Sequence, residues 1–374
     1  MGTTKIGGMG TSRVHKKRKN KNDNMKEGKI IDFKNYDKQE CLRVVTLFSG
    51  YGSQELALQY LNIEHKVIAN SDIDKHANEV YEKLHSSELG NLGDITKIDE
   101  YNFPECDLLT FSFPCQSLSI AGKQEGIKEG TESGLLLEVE RLLTIQKPKY
   151  LMMENVKNLI SPRHMAEFQK HLDFLEQQGY AARYRVFNAF DFSCGQNRER
   201  VIMIAELDGD KDEIGFKLND VDDNMTEKIP MRPFIEEDVN DDLYIDCDFE
   251  MYSIKNEKSI CKMVAKRTDV NYDQASRIYS IDGASPTLTK TSSTQIMTED
   301  GRVRYVSARE AYRLMGIREE EIDKMLETSL TDCQHKALAG NSICVPVLMA
   351  IFNIFFQREI KNKLWENQGL RRAA

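Results

Sequence analysis

Long apolar runs are missing from this chain of 374 residues. None approaches the roughly 20 consecutive apolar residues of a membrane span, and no charged, apolar and small-residue leader opens it. The reading is a soluble cytoplasmic protein with no membrane partner. Cysteine is present eight times, but no C-x-x-C pair and no H-x-x-x-H spacing occurs. Neither a disulfide framework nor a zinc site is suggested, and no metal is expected. No Gly-Lys-Thr/Ser phosphate loop occurs either, which disfavours ATP and GTP as ligands. Net positive charge is also lacking: the total of −9 argues at first against a nucleic-acid partner.

The distribution of charge reverses that last impression. Residues 205–250 hold 17 Asp or Glu against Lys211, Lys217, Lys228 and Arg232, a local balance of −13 that leaves the rest of the chain at +4. Such a block would repel phosphates, so it is expected on a face turned away from any duplex, or as a solvated linker. Residues 1–40 lack periodicity and carry the cluster His15-Lys16-Lys17-Arg18-Lys19, the pattern of a disordered basic tail.

From Arg43 the pattern alternates. Strand signals at Arg43–Phe48, Lys66–Asn70, Leu108–Phe113, Tyr150–Met153, Tyr184–Phe187 and Val201–Ala205 are interleaved with helical stretches at Gln54–Leu61, Asp74–Leu84, Leu135–Ile145 and Met165–Gln178. This alternation predicts an α/β fold, a mainly parallel Rossmann-like sheet with helices on both faces. Beyond Leu207 the alternation stops. The expected organisation is a catalytic domain over 41–205, a smaller irregular domain over 206–305, and a segment over 306–374 that returns to the first domain through the apolar run Val345–Phe356.

The first motif, Thr46-Leu47-Phe48-Ser49-Gly50-Tyr51-Gly52-Ser53, is a strand running into a glycine turn and a helix. Gly50 and Gly52 let the backbone approach a ligand at a helix N-terminus. Asp72 ends the second strand about twenty residues on, where an acid can hold ribose hydroxyls. Gly93-Asp94-Ile95-Thr96 follows, with Asp94 placed to accept from an adenine amine and Ile95 to pack on the ring. Together these favour a nucleoside cofactor without a triphosphate, such as S-adenosylmethionine (AdoMet).

The second constellation joins a thiol, a carboxyl and two guanidinium groups. Cys115, in Phe113-Pro114-Cys115-Gln116, follows one apolar strand, and Glu154, in Met153-Glu154-Asn155-Val156, closes another. Ligands of open α/β sheets gather at that edge. A cysteine acts there only as a thiolate, and a carboxyl at the end of a buried strand is a candidate acid with a raised pKa. Gly122, Gly126, Gly130 and Gly134 recur through a polar stretch that reads as a loop able to close over a substrate. Arg198 and Arg200, in Gln196-Asn197-Arg198-Glu199-Arg200, share one side of an extended segment. Taken singly, each residue also has a structural reading: a buried thiol, a helix-capping carboxylate, a surface ion pair.

Taken together, the motifs resemble those of the DNA (cytosine-5)-methyltransferases. Phe48-Ser49-Gly50-Tyr51-Gly52 is similar to the first family motif, Pro114-Cys115-Gln116 to the nucleophile motif and Glu154-Asn155-Val156 to the Glu-Asn-Val motif. Gln196-x-Arg198-x-Arg200 is similar to the eighth, Arg309-Glu310-Ala311-x-Arg313-x-Met315-Gly316 to the ninth and Gly340-Asn341-Ser342 to the tenth. The order is the family's, over residues 43–356. Two departures stand out: Ser53 replaces a common third glycine, and Ile73 replaces an aromatic residue common beside the adenine.

The resemblance implies a mechanism. A cytosine leaves the duplex because its C5 and C6 are unreachable in the stack. Cys115 attacks C6 while Glu154 donates to N3, C5 takes the methyl group of AdoMet, and loss of the C5 proton ejects the thiolate and leaves S-adenosylhomocysteine. Arg200 would orient Glu154 and Arg198 would bond the cytosine carbonyl oxygen. Phe48, Gly50, Gly52, Asp72, Ile73, Asp94, Ile95, Pro114, Leu136, Asn341 and Ser342 would surround the cofactor. Gln116, Ser119 and Lys123 of the glycine-rich loop would fill the gap in the DNA. Recognition is assigned to about residues 251–305, where the net charge is positive and Thr287, Leu288 and Thr289 resemble the family's Thr-Leu pair. The expected partner is double-stranded DNA, met by a monomer, with any restriction endonuclease acting separately. A tRNA cytosine methyltransferase shares the core motifs, but the Cys-Phe-Thr signature of that branch is missing. A noncatalytic DNA-binding relative is the other rival, disfavoured by the intact Cys115, Glu154 and arginines.

Overall fold

The computed structural model describes residues 41–114, 132–221, 227–252, 259–291 and 294–356. The basic tail lies outside the described residues, as do Cys115, Gln116, Ser119 and Lys123 with most of the glycine-rich loop. From Cys41 on, the described residues form one compact unit.

Six strands build the main sheet: β1 (Leu42–Leu47), β2 (His65–Ser71), β3 (Leu108–Phe111), β4 (Tyr150–Val156), β5 (Tyr180–Asn188) and β6 (Glu199–Leu207), in the order β2-β1-β3-β4-β6-β5. Pairings β1–β2, β1–β3 and β3–β4 are parallel, whereas β6 is antiparallel to both β4 and β5. Among these six strands β6 alone runs against the others. The central strands are apolar on both faces, as parallel strands covered by helices must be: Val44, Val45 and Leu47 of β1 and Leu151, Met152 and Met153 of β4 are wholly buried.

Helices α1 (Ser53–Tyr60), α2 (Lys75–Leu84), α3 (Leu136–Ile145) and α4 (Met165–Gln177) follow the strands as the periodicity predicts. Leu136, Val139, Leu142 and Leu143 of α3 and Phe168 and Leu175 of α4 join one face of the sheet, beside Val45, Leu109, Leu151 and Met203. One element departs from expectation. Lys211–Asp220 forms a further helix, α5, that packs on β5, so the layered fold extends past Leu207 into the acidic block. Its inward stripe is only Ile214 and Leu218, continued by Val221, and the intervening acids hide it in the sequence. Asp210 caps it by accepting from the amides of Asp212 and Glu213.

A second sheet has the order β11-β10-β9-β8-β7, from β7 (Phe249–Met251), β8 (Met263–Arg267), β9 (Arg277–Ser280), β10 (Gln295–Met297) and β11 (Val303–Tyr305), with the single turn α6 (Asp273–Ser276) leading into β9. Its core is small, centred on Ala265, Ile278 and Val303. After it come α7 (Ala308–Leu314), α8 (Glu319–Leu326), α9 (Asp332–Asn341) and α10 (Val345–Phe356). Ser307 and Glu310 form a capping box that starts α7. The last helix is apolar all round and lies against α1 and α5, closing the second face of the main sheet.

Candidate active site

The reversed direction of β6 determines where the site lies. Its N-terminal end sits at the same sheet edge as the C-terminal ends of β1–β4, so residues entering β6 meet residues leaving the parallel strands. Register makes this concrete: Val156 pairs with Arg200 and Glu154 with Ile202.

The turn after β1 is organised by carboxylate and amide side chains. Gly50 and Gly52 have φ of 56° and 85°, and Phe48 adopts φ 55°, a left-handed backbone that costs a residue with a side chain about 1–2 kcal/mol. Asp72 holds the turn in place: it accepts from the Gly50 amide at 2.8 Å and from the Asp74 amide at 2.8 Å. A carboxylate has about four lone-pair sites, so both bonds leave Asp72 capacity for ribose hydroxyls. Burial pushes its pKa up against those amide bonds. Asn91, which the sequence pattern did not single out, pins the neighbouring turns; its Oδ1 accepts from the amides of Asp72 and Gly93 and its Nδ2 donates to the Asp72 carbonyl. Asp94 accepts from the Thr96 hydroxyl and amide, which hold its pKa down.

A Cβ built at Gly50 or Gly93 would meet open space. Ile73 is 75 % exposed beside these turns, an apolar side chain with nothing yet against it. Of the other expected cofactor contacts, Ile95 and Leu136 are 3 % and 1 % exposed and join the core under the sheet.

Glu154 is 7 % exposed at the end of β4. Its carboxylate pairs with Arg200, Nε to Oε1, at 3.0 Å. Desolvation raises its pKa, opposed by Arg200, Arg198 and Ser112. Burial wins, so the group is biased toward the protonated form an acid requires. The next residue has its own task, also absent from the sequence reading. Asn155 Nδ2 donates to the Phe113 carbonyl at 3.0 Å, fixing the chain two residues before Cys115 to the strand that carries the carboxyl.

Arg198 does not do what was expected of it. Its guanidinium is 2 % exposed and donates to three backbone carbonyls: Leu288 at 2.8 Å, Gly340 at 2.9 Å and Ser342 at 2.5 Å. Its Nε has no partner among the described residues. Burial, with Arg200 adding to it, lowers the pKa to about 10, which still leaves a cation at neutral pH. The assignment to the cytosine oxygen is therefore corrected, because the Nη donors are committed to tying β6 to two other segments. Gln196, wholly buried, completes the junction: its Oε1 accepts from the Leu288 amide and its Nε2 donates to the Leu314 carbonyl.

Around that junction the Thr-Leu segment is held mainly by its backbone. Gln196 and Ser285 form a parallel bridge, and the Thr287 hydroxyl donates to the Asn197 carbonyl at 2.7 Å. Leu288 is 5 % exposed, so its side chain serves packing, while Thr289 and Lys290 are exposed. Asn341 ends α9 and is exposed, and Ser342 Oγ lies 2.7 Å from Ser53 Oγ. The serine in place of the third glycine thus joins the first motif to the tenth. Pro114, which ends the described part of the strand segment, is placed at the same edge as Glu154, whereas Cys115 lies outside the described residues. Among the described residues no cluster of His, Cys, Asp and Glu is arranged to hold a metal ion.

Comparison with known proteins was made on this background. The model of the C-5 cytosine-specific DNA methylase family matches residues 42–357. The type II methyltransferase M2.ScrFI of Lactococcus lactis subsp. cremoris is 31% identical, over 85% of this chain and 100% of its own length. The orphan methyltransferase M.SssI of Spiroplasma monobiae is 32% identical over 73% of this chain and 72% of its own. Among solved structures, the S. pombe Dnmt2 methyltransferase superposes with a TM-score of 0.64 at 21% identity, covering 84% of this chain and 98% of that one, a likeness of fold.

Proposed function

Because the chain belongs to the C-5 cytosine-specific DNA methylases, and so is a DNA cytosine-5 methyltransferase, we propose that its chemistry is carried by Cys115 and Glu154, with Arg200 orienting the carboxyl and the turns after β1, β2 and the Gly93 bend holding AdoMet. The observation that carries this reading is the buried Glu154–Arg200 pair at the edge where β6 meets the parallel strands.

The residues present fit the cofactor. Open space above Gly50 and Gly93, the Asp72 carboxylate, the half-exposed Asp94 and the uncovered Ile73 make a cradle of the right chemistry for a nucleoside: acids for hydroxyl and amine, an apolar face for a purine. When bound, AdoMet supplies an electrophilic methyl group. Every other task falls to this chain. Asn155 fixes the approach to Cys115 through Phe113. The Cys115 thiolate forms a bond to C6 of the flipped cytosine as Glu154 passes its proton to N3, so the ring electrons collect at C5. After C5 is methylated, its proton passes to water, the C5–C6 double bond re-forms as the Cys115 thiolate is expelled, and N3 returns its proton to Glu154. Arg200 keeps the Glu154 carboxyl aligned with the base and limits how far its pKa climbs.

DNA binding is assigned to Gln116, Ser119 and Lys123 and to Thr289 and Lys290 at the exposed end of the Thr-Leu segment. The enzyme is read as a cytoplasmic monomer, and an endonuclease of the same specificity would be a separate protein. Transfer of label from AdoMet tests the whole reading, with duplex DNA as substrate and tRNA and Cys115→Ala as controls. Labelled 5-methylcytosine in DNA, lost in the variant, is expected. Label appearing in tRNA alone, or undiminished in Cys115→Ala, overturns the substrate or the nucleophile assignment respectively.

A further inference from the structure

We propose that Ser53 and Arg198 are positioning residues that make cofactor binding and DNA binding reinforce each other, an inference that rests on the reading above. Three observations carry it. Ser53 Oγ, 1 % exposed at the start of α1, meets Ser342 Oγ at 2.7 Å, so the cofactor turn is hydrogen-bonded to the segment between α9 and α10. Arg198 then grips that same segment from the other side, through the carbonyls of Gly340 and Ser342, and with its remaining arm holds the carbonyl of Leu288. Finally, Gly340 lies so close to the Thr-Leu segment that a Cβ there would overlap the Thr289 carbonyl group and come within 2.8 Å of the Lys290 amide nitrogen.

These contacts form one continuous path of buried and half-buried polar groups from the cofactor turn, through Ser342 and Arg198, to the backbone that carries Thr289 and Lys290. A ligand that orders the turn after β1 therefore also fixes Ser342. Through Arg198 it fixes the exposed end of the Thr-Leu segment before DNA arrives. The reverse follows from linkage: DNA that orders Thr289 and Lys290 must tighten the cofactor by the same factor. The bond depends on the serine itself, since a glycine at that position would have no hydroxyl to offer.

The test measures binding of a duplex carrying the methylated site, identified by bisulfite sequencing, with and without saturating S-adenosylhomocysteine. For the wild-type protein the expected tightening is about tenfold, within the usual range of such couplings. Ser53→Ala should lose most of that tightening while keeping its affinity for the duplex alone, and should raise KM for AdoMet more than it lowers kcat. Ser342→Ala should lose the same tightening, and the double variant should be no worse than either single one. Arg198→Lys, which keeps the charge but cannot span three carbonyls, should lose it as well. Full tightening in Ser53→Ala, or losses that multiply in the double variant, would overturn the path. A wild-type enzyme that methylates DNA but shows no tightening also overturns it, leaving the proposed function standing; absence of DNA methylation overturns both.

Discussion

Glu154 sits between two opposing influences, burial that favours its proton and Arg200 that favours its charge. The sign of the balance fixes a pH effect. An acid whose pKa is raised is competent below that pKa, so kcat/KM should fall as pH climbs through it. Arg200→Gln removes the opposing cation, which raises the pKa further: the falling limb of the pH–rate profile should move to higher pH while the maximal rate drops. Glu154→Gln, which keeps the shape and loses the proton, should cut kcat by about 10²–10⁴-fold at all pH values, as measured by single-turnover methyl transfer. At the same scale, Arg304 and Glu310 form a doubly bonded ion pair, at 2.6 and 2.9 Å, with both side chains at most 1 % exposed. Glu310→Ala would strand a buried guanidinium, and a loss of about 3–5 kcal/mol is expected in denaturant unfolding. The buried placement of Glu154 was legible in the sequence because it closes an apolar strand. That of Arg198 was not, since extended geometry places two arginines on one side without saying which carbonyls will reach for one of them. Asn91 carried no pattern at all, and Asn155 stood in a motif without a task of its own; an amide that braces its neighbours shows its partners only once the chain is folded.

Among the elements, the alternating region was readable because its strands are apolar and its helices amphipathic. Helix α5 was not, because only a narrow stripe faces β5 and acids fill the rest. The acidic block accordingly divides into different jobs. Asp210 caps α5, while Glu236 accepts from the Ser307 hydroxyl and pairs with Arg309 beside α7. Helix α9 carries a glycine, Gly340, in its last turn for a steric reason, its approach to Thr289 and Lys290. Gly340→Ala should push the Thr-Leu segment away and weaken DNA binding several-fold at fixed salt, with little change in AdoMet binding by the isolated enzyme. Equal weakening of both would place the defect in α9 itself. The direction of β6 was hidden from periodicity, which reports burial but not sense. Only the pairing with β4 and β5 shows that Arg200 enters the sheet at the edge where Glu154 leaves it.

For the whole molecule, the C-terminal tract shows how composition and context diverge. Asp332–Phe356 is apolar enough to resemble a membrane helix, with a mean hydropathy of 1.8, yet 89% of that window is buried within the protein. It is a core element, and it is also what completes the site. Ser53 and Ser342 are 289 positions apart in sequence. A ribosome therefore makes the cofactor turn near the beginning of the folded region and the segment that braces it only near the end. A chain cut short before α9 would carry Ser53 but lack Ser342, and with it the hydrogen bond between them. Alignment of the cofactor turn thus depends on two segments that meet only when distant parts of the chain have folded together.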